Sequence, residues 1–286
     1  MKLIRIALIA LISTSAFAQT NEPKVAESPG PCYGRYVPER ADDFAWENDR
    51  IAFRVYGPRL EKQAPGSAGS GVDLWVKKVR YPIIDKWYKK GSYHRDDGEG
   101  ADMYHVGPSR GCGGSAVWMD GKLFPSAHWA SQRVITPGGN HVEFELTYTS
   151  WEAGGLTVSE VKRIRLEAGS NLFRAQSTYT VKGADSATIA LGIVLRGSKG
   201  ELQHGDNWIS YAEPMNSKNG QTYCAVVLPK GAAFKQAEGH GLLLATVRNG
   251  ETLTYYAGGG WSKGGEFKTS ADWHAYVTER AAFLLK

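Results

Sequence analysis

The chain has 286 residues, of which 42% are hydrophobic and 22% are charged, and its formal net charge is +5. This length and composition are sufficient for a large buried core in a globular protein. The excess positive charge is small and spread along the sequence. It therefore argues against a nucleic-acid partner but is compatible with an anionic ligand bound at one place.

The N-terminal segment has the pattern of a secretory signal peptide. Lys2 and Arg5 precede an apolar run, Ile6 to Ile12, and the small-residue site Ala16-Phe17-Ala18 follows. The apolar run is too short to cross a membrane, so cleavage after Ala18 is predicted. We therefore expect a periplasmic or secreted protein with no membrane partner.

The predicted domain organisation is simple. Residues 1–18 are the signal peptide, and residues 19–30, which are polar and contain proline, are expected to be a disordered lead-in. Residues 31–286 show no internal repeat and no convincing linker. We expect them to form one domain.

The chain from residue 51 onward alternates apolar and polar residues, as β-strands do. The alternation is visible in residues 51–56 and 72–77 and is clearest in residues 141–149. It predicts strands with one buried face and one solvent-exposed face, as in antiparallel sheets. Further strands are predicted over residues 157–166, 172–182, 187–196, 222–229, 242–248 and 252–257.

Turn and helix signals complete the prediction of the fold class. Asn219-Gly220 and Asn249-Gly250 are typical of β-hairpin turns. After Ser270, apolar residues recur at helical spacing, which predicts one short helix near the C-terminus. The sequence thus predicts an all-β protein, a large antiparallel β-sandwich.

The segment from Trp87 to Gly114 combines chemical groups at unusual density. It holds two histidines, four carboxylates, four Lys or Arg residues and three tyrosines among several glycines. No apolar period runs through it, so we interpret it as a loop or loop pair that presents chemistry. Candidate catalytic residues here are Tyr93, His94, Glu99 and Tyr104, and candidate substrate-binding residues are Trp87, Tyr88, Arg95, Asp97, His105 and Arg110.

Two other segments contribute candidates. Glu47 and Asn48 stand directly before the strand that begins at Ile51, and no turn requires a glutamate there. Trp261 follows three glycines, and an exposed indole ring can stack on the face of a sugar. We predict that Glu47, Asn48, His94, Glu99, Arg110 and Trp261 converge in one cleft.

Long motifs resemble those of a bacterial secreted family of unknown function. They are PERADDFAWENDRIAFRVYGP (38–58), IIDKWYKKGSYHRDDGEGADMYHVGPSRGCGG (83–114) and YYAGGGWSKGGEF (255–267). The members of that family lie among genes for polysaccharide degradation, often of polymers that contain uronic acids. The resemblance implies a galactose-mutarotase-like β-supersandwich and an acidic poly- or oligosaccharide as partner, but assigns no catalytic residue.

The residue types favour β-elimination of a uronate-containing saccharide. That reaction needs a cation or amide to neutralise the C6 carboxylate, a base near C5 and an acid for the departing oxygen. His94 or Tyr93 is the candidate base and Tyr104 the candidate acid. Arg110 and Asn48 are the candidate neutralisers.

Three alternatives stay open. Hydrolysis needs two carboxylates on opposite sides of the glycosidic bond, and Glu47, Asp97, Glu99 and Asp102 are available for it. A mutarotase or epimerase would use the same histidine and glutamate types without bond cleavage. A non-catalytic sugar-binding protein would use them only for hydrogen bonds.

The sequence makes no strong case for a cofactor. Asp96, Asp97, Glu99 and Asp102 could offer oxygens to Ca²⁺, but their spacing does not match an EF-hand loop. The three cysteines allow one disulfide in any of three pairings. Cys112 lies between glycines, which favours a backbone turn over a thiol nucleophile.

Overall fold

The computed structural model describes residues 30–285, which fold mainly into antiparallel β-strands. The predicted signal peptide and all of the predicted lead-in except Gly30 lie outside the described residues. Within residues 30–285 no helix is long and apolar enough to cross a membrane.

The strands form three sheets, and every strand pairing in them is antiparallel. In spatial order, the six-stranded sheet contains β5 (Gly100–Ala101), β4 (Val72–Lys77), β3 (Ile51–Val55), β2 (Asp43–Glu47), β1 (Cys32–Val37) and β9 (Gly138–Gly139). The eight-stranded sheet contains β14 (Glu201–His204), β15 (Trp208–Ala212), β16 (Thr222–Val227), β19 (Thr252–Trp261), β12 (Leu172–Lys182), β11 (Leu156–Glu167), β10 (His141–Ala153) and β8 (Ser131–Thr136). The five-stranded sheet contains β17 (Ala233–Ala237), β18 (His240–Arg248), β13 (Ser186–Val194), β6 (Cys112–Met119) and β7 (Lys122–Phe124).

The main hydrophobic core joins the three sheets. Phe53 of the six-stranded sheet, Phe144 of the eight-stranded sheet and Leu191 of the five-stranded sheet belong to one buried cluster. In β11 and β12 buried residues alternate with more exposed ones, as the sequence pattern predicts. The antiparallel β-sandwich predicted from the sequence is confirmed at this level.

Three α-helices accompany the strands of residues 30–285, namely α1 (Pro58–Gln63), α2 (Ile84–Lys90) and α3 (Ser270–Leu284), and one short 3-10 helix spans Gly197–Lys199. The C-terminal helix was predicted. Thr269 and Asp272 cap its N-terminus reciprocally, and Trp273 and Val277 are buried in a second hydrophobic cluster. Helices α1 and α2 were not predicted, because each has only six or seven residues and shows too little of a helical period.

The expectation that one face of each strand is exposed to solvent is wrong for the six-stranded sheet. Every residue of β2, β3 and β4 is buried. Helix α2 and the segment that follows it cover the second face, where Trp75 packs against Trp87 and Tyr93. Polar side chains on that face therefore lie in a low-dielectric environment and need partners.

Two glycines fix the chemically rich segment against β4. Gly100 has φ +118°, and a Cβ there would lie 2.0 Å from the Val76 carbonyl oxygen. Gly111 has φ +57°, and a Cβ there would lie 2.2 Å from the Val72 carbonyl oxygen. Because only glycine permits both the conformation and the close approach, residues 100–111 are anchored at both ends.

Candidate functional site

A cleft of about 390 Å³ lies beside β3 and the segment of residues 94–107. We call it the His94 cleft. Its lining contains two arginines, two histidines, one carboxylate, two tyrosines and an asparagine, in addition to smaller and apolar residues. The polar residues named here are Arg40, Arg54, Tyr56, His94, Asp102, Tyr104, His105 and Asn219.

The floor of the His94 cleft is organised around the buried guanidinium of Arg54. Nη2 of Arg54 lies 2.5 Å from Oδ2 of Asp73 and 2.8 Å from Oδ2 of Asp102. Asp43 is a third carboxylate, with its Oδ2 3.9 Å from Nη1. Arg54 and Asp73 face each other in the β3–β4 register, whereas Asp102 comes from the segment after β5. Three acids therefore share two cations, Arg54 and, through a 3.4 Å contact with Asp43, Arg40.

This imbalance shifts the protonation of the buried acids. Burial, with the charge of Asp73 as the next cause, raises the pKa of Asp102 to about 8. Burial also raises the pKa of Asp43 to about 6, against the opposing effect of Arg54. Burial favours the protonated form of a carboxyl group, and Arg54 offsets this only in part for Asp102 because the same guanidinium also contacts Asp73. Asp102 is thus positioned to hold a proton near neutral pH.

His94 stands at the mouth of the cleft in contact with Asp102. Its side chain is 67% exposed, and its Nδ1 lies 3.2 Å from the Asp102 carbonyl oxygen and 3.4 Å from Oδ2. A carbonyl oxygen only accepts hydrogen bonds, so this contact favours the tautomer with its proton on Nδ1. The lone pair is then on Nε2, on the side of the ring away from Asp102.

Arg40 is the accessible cation of the His94 cleft. Its side chain is 33% exposed, and its contact with Asp43 is long, at 3.4 Å. Its guanidinium lies over the Tyr56 ring at 5.5 Å, and Arg54 lies over the same ring at 4.8 Å. An anionic group entering the cleft can therefore reach Arg40 without breaking a short ion pair.

A second depression of about 580 Å³ continues from the His94 cleft. We call it the Arg196 groove. The two share the wall formed by residues 105–107, and His105 on this wall is exposed. Arg196, Glu238 and His240 line the far side of the groove. A ligand that extends from one depression into the other would therefore contact the wall of residues 105–107.

The structure places Glu47 and Asn48 away from the His94 cleft, in structural roles. Oε2 of Glu47 lies 2.5 Å from Nζ of Lys77, and Oε1 accepts hydrogen bonds from the backbone N–H groups of Ile83 and Ile84, where α2 starts. Both side chains of this ion pair are fully buried. The Asn48 amide donates to the carbonyl oxygens of Glu167 and Ser170. The predicted convergence with His94 is not observed.

The acidic residues of the segment each pair with a different cation. Asp96 contacts Lys78, Asp97 contacts Lys90, and Glu99 lies 2.5 Å from Lys86. Glu99 also accepts from the Trp87 indole. Within residues 30–285 no three His, Cys, Asp or Glu side chains are grouped so that they could hold a metal ion. The Ca²⁺ hypothesis therefore finds no converging oxygen set in this part of the chain.

The tryptophans predicted to bind sugar are buried. Trp87 lies on α2, not on a loop, and stacks on Trp75, with ring centroids 5.8 Å apart. Tyr88 is half-buried, and its hydroxyl donates to Asp43. Trp261 is 2% exposed and donates from its indole nitrogen to the Asn219 carbonyl oxygen. Trp261 thus supports the turn that carries Asn219 and does not face a ligand itself.

The tyrosines predicted as base and acid do not present their hydroxyls to the cleft. The hydroxyl of Tyr93 lies 3.3 Å from Nη1 of Arg54 in a buried contact. Tyr104 lines the cleft, but its hydroxyl is buried beside the thiols of Cys112 and Cys224. Burial raises the pKa of Tyr104 well above its ordinary value.

Of the two predicted arginines, Arg110 is buried and Arg95 is exposed outside both depressions. The Arg110 guanidinium donates to three neutral oxygens, those of the Ser70 hydroxyl and of the Ser115 and Pro108 carbonyls. Burial lowers the pKa of Arg110 to about 10, so it remains charged at neutral pH. It lies under the Arg196 groove, not in the His94 cleft.

Sequence reasoning missed Arg40, Arg54, Tyr56 and Arg196 as site residues. The first three lie in the 38–58 run, and the alternation of β3 placed Arg54 and Tyr56 on the polar face, which was the available signal. Arg196 has no such signal, because its role depends on where β13 ends relative to the residue 105–107 wall.

The fold and the two connected depressions define a β-sandwich protein with a histidine- and arginine-lined cleft. The chain belongs to the family described as "Domain of unknown function (DUF4861)", which it matches over residues 12–285. It is 38% identical over 269 residues to "Uncharacterized protein P7" of Formosa agariphila. That alignment covers 87% of this chain and spans 66% of the relative's length.

Among solved structures, the chain has weak likenesses to three larger proteins. A 4-alpha-glucanotransferase from Thermococcus litoralis gives a TM-score of 0.39 at 8% identity, covering 79% of this chain and 39% of that one. A putative kojibiose phosphorylase from human microbiome gives 0.40 at 11%, covering 90% and 38%. The GH36 alpha-galactosidase AgaB from Geobacillus stearothermophilus gives 0.33 at 9%, covering 79% and 40%. Likenesses this weak do not establish a shared activity.

Proposed function

We propose that the protein is a secreted carbohydrate-active enzyme that cleaves uronate-containing poly- or oligosaccharides by β-elimination in the His94 cleft. The observation that carries the proposal is the composition of the cleft, which is lined both by a histidine in contact with a buried carboxyl group and by an accessible arginine. The sequence motifs resemble those of a secreted family whose members lie among genes for polysaccharide degradation. A galactose-mutarotase-like supersandwich is the fold expected of that family, and both points support the proposed function.

The chemistry requires that the C5 proton of the uronate become acidic. Arg40 is the group that would bind the C6 carboxylate and stabilise the negative charge that develops on it. Nε2 of His94 would remove the C5 proton, and the electron pair would form the C4–C5 double bond as the C4–O4 bond breaks. Asp102 would hold the imidazole in the tautomer that leaves Nε2 unprotonated.

The departing O4 oxygen needs a proton as its bond to C4 breaks. His105 is exposed on the wall between the two depressions, where the glycosidic oxygen of a bound chain would lie. We assign this proton transfer to His105 and not to Tyr104, because the Tyr104 hydroxyl is buried. His94 would thus act as base and His105 as acid on one substrate.

Two-carboxylate hydrolysis has weaker support from the same geometry. A glycosidase of the common kind needs a carboxylic acid and a carboxylate on opposite sides of the scissile bond. Among the described residues that line the His94 cleft, Asp102 is the one carboxylate, and it is buried behind His94. Glu47 and Glu99, which sequence reasoning offered for this role, are engaged elsewhere.

The test is a panel of pectic, alginate and glucuronan oligosaccharides incubated with the mature protein, with and without a chelator. β-Elimination leaves a conjugated unsaturated uronate that absorbs in the ultraviolet. Reducing ends without that absorbance would indicate hydrolysis and contradict the proposal. A rise in melting temperature with no turnover would instead support a binding protein, because a ligand that binds only the folded state stabilises it. In the tests of variants described below, Arg133→Gln, on the outer strand β8, is the control for the loss of a surface arginine.

A further inference from the structure

The Arg196 groove adjoins the His94 cleft through a shared wall. Residues 105–107 line both depressions, and the groove is the larger, at about 580 Å³ against about 390 Å³. A saccharide bound with one sugar on each side would place its linking oxygen at this wall. The groove is therefore in position to bind the sugar that departs with O4.

Arg196 has hydrogen-bonding capacity left over. Its Nη2 is buried and has no hydrogen-bond acceptor among the described residues. Its Nε lies 3.4 Å from Oε1 of Glu213, which is long for a charge-assisted hydrogen bond. The Tyr211 hydroxyl accepts from the Arg196 backbone N–H at 2.7 Å, and this holds the residue at the end of β13. The guanidinium also lies over the Tyr104 ring, 5.7 Å from its centroid. The side chain is 33% exposed and lines the groove, so an anionic oxygen bound there can reach the guanidinium.

Arg110 adds positive charge beneath the same groove. The side chain is 2% exposed, and its guanidinium donates to neutral oxygens only. A buried cation without a carboxylate in contact leaves its charge to act on nearby bound groups, because the protein interior screens it poorly. The lining of the groove thus carries two arginines against one carboxylate, that of Glu238, and this balance favours an anionic ligand over a neutral one.

Glu238 supplies a fixed acceptor in the lining of the same groove. Its backbone φ is +48°, a conformation unfavourable for glutamate, and its Oε2 accepts from the Leu123 backbone N–H at 2.8 Å. Such strain persists where the surrounding structure holds it in place. The second carboxylate oxygen can then accept a hydrogen bond from a sugar hydroxyl.

We infer that the Arg196 groove is a subsite for a second, anionic sugar, and that Arg196 binds its carboxylate or sulfate group. The inference rests on the proposed function, and it narrows the substrate class to saccharides with charged neighbouring residues. Carboxylate and sulfate present the same anionic oxygens, so the experiment includes both.

The test compares disaccharides that carry the same cleavable uronate and differ in the preceding sugar, which is neutral, carboxylated or sulfated. For the wild-type protein we expect kcat/KM to be about tenfold higher with an anionic neighbour, a difference of about 1.4 kcal/mol. In Arg196→Gln, the ratio of kcat/KM with an anionic neighbour to kcat/KM with a neutral neighbour should fall to about one. Arg196→Lys should recover part of the preference for the anionic neighbour. Unchanged selectivity in Arg196→Gln would overturn the subsite.

A binding measurement separates this inference from the proposed reaction. Calorimetric titration of the full protein with the same disaccharides needs no turnover. If no elimination occurs but Arg196→Gln weakens binding of the anionic disaccharide about tenfold, the subsite stands without the proposed reaction. Equal affinity of wild type and Arg196→Gln, with melting temperatures confirming that both are folded, would overturn the subsite. Arg133→Gln should leave both selectivity and affinity unchanged.

Discussion

Nδ1 of His94 lies 3.4 Å from Oδ2 of Asp102, so an exposed imidazole touches a buried carboxyl group. The same Oδ2 lies 2.8 Å from Nη2 of Arg54. Asp102 therefore links the mouth of the cleft to the buried charge cluster on β3 and β4. This link positions His94. It also places beside His94 a carboxyl group whose protonation changes with pH, because the pKa of Asp102 is raised to about 8.

Replacing His94 should remove activity without loss of stability. The side chain is largely exposed, so His94→Gln should change the melting temperature very little. If His94 is the general base, turnover should fall by about 10²–10⁴. The measurement is the rate at which the unsaturated product forms, together with the melting temperature of the same samples. Full activity in a folded His94→Gln protein would exclude His94 as the base.

Two substitutions distinguish the candidate acids. Tyr104→Phe should retain most of the turnover, because the hydroxyl is buried beside Cys224 and does not reach the cleft. His105→Gln should lower the turnover by about 10²–10⁴ if His105 protonates the leaving oxygen. The steady-state rates of both variants on one uronate oligosaccharide provide the comparison. The reverse order of effects would return the role of acid to Tyr104.

The charge cluster should make stability depend on pH. The pKa of Asp102 is raised to about 8 in the folded protein, against about 3.9 in an unfolded chain. Between these values the folded state binds a proton that the unfolded state does not. The free energy of unfolding should therefore decrease as pH rises, by at most about 1.4 kcal/mol per pH unit, and level off above the folded pKa.

Asp102→Asn should remove that contribution. Asp43 has its pKa raised to about 6 and contributes in the same direction at lower pH, so the difference between the proteins should be clearest between pH 6 and 8. Denaturant unfolding of wild type and variant across this range is the measurement. If the free energies of unfolding of wild type and Asp102→Asn change in parallel with pH, Asp102 is ionised in both the folded and the unfolded state.

The buried pair of Glu47 and Lys77 should be a stability element. Glu47→Gln leaves the Lys77 ammonium buried without its counter-ion, and such a change typically costs about 3–5 kcal/mol. Below its melting temperature, the folded variant should keep its turnover, because Glu47 does not line the cleft. Arg133→Gln, which breaks an exposed pair with Glu145, should cost less than about 1 kcal/mol. A stable but inactive Glu47→Gln would support the catalytic role first predicted for Glu47.

The alternation of the strands made much of the fold predictable. Strand β10 spans His141–Ala153 and includes the predicted residues 141–149, and α3 begins at the predicted Ser270. Asn219-Gly220 lies in the connection of residues 213–221 between the antiparallel strands β15 and β16. The hairpin predicted at Asn249-Gly250 is wrong, because β18 and β19, which it joins, belong to different sheets. Strands and helices depend on neighbours along the chain, so local propensity and hydrophobic period are sufficient to predict them, whereas sheet membership depends on distant strands.

The candidate site was predicted only in part, because polar residues in a sequence do not identify their partners. The segment around His94 was recognised from its composition, and His94 and His105 lie in the cleft. Glu47 looked catalytic because no turn required it, but its partner Lys77 is 30 residues away on β4. The covering of the second face of the six-stranded sheet by α2 turned such residues into buried pairs.

The sequence by itself determined the antiparallel strands, the C-terminal helix and the segment in which the chemical groups are concentrated. Only the tertiary structure decided that Arg54 meets Asp73 through the β3–β4 register and Asp102 across 48 residues of chain. It also decided that His94 remains exposed while Tyr93, its neighbour, is buried. The physical reason is that strand periodicity is local, whereas burial and charge pairing depend on which distant segments cover each face.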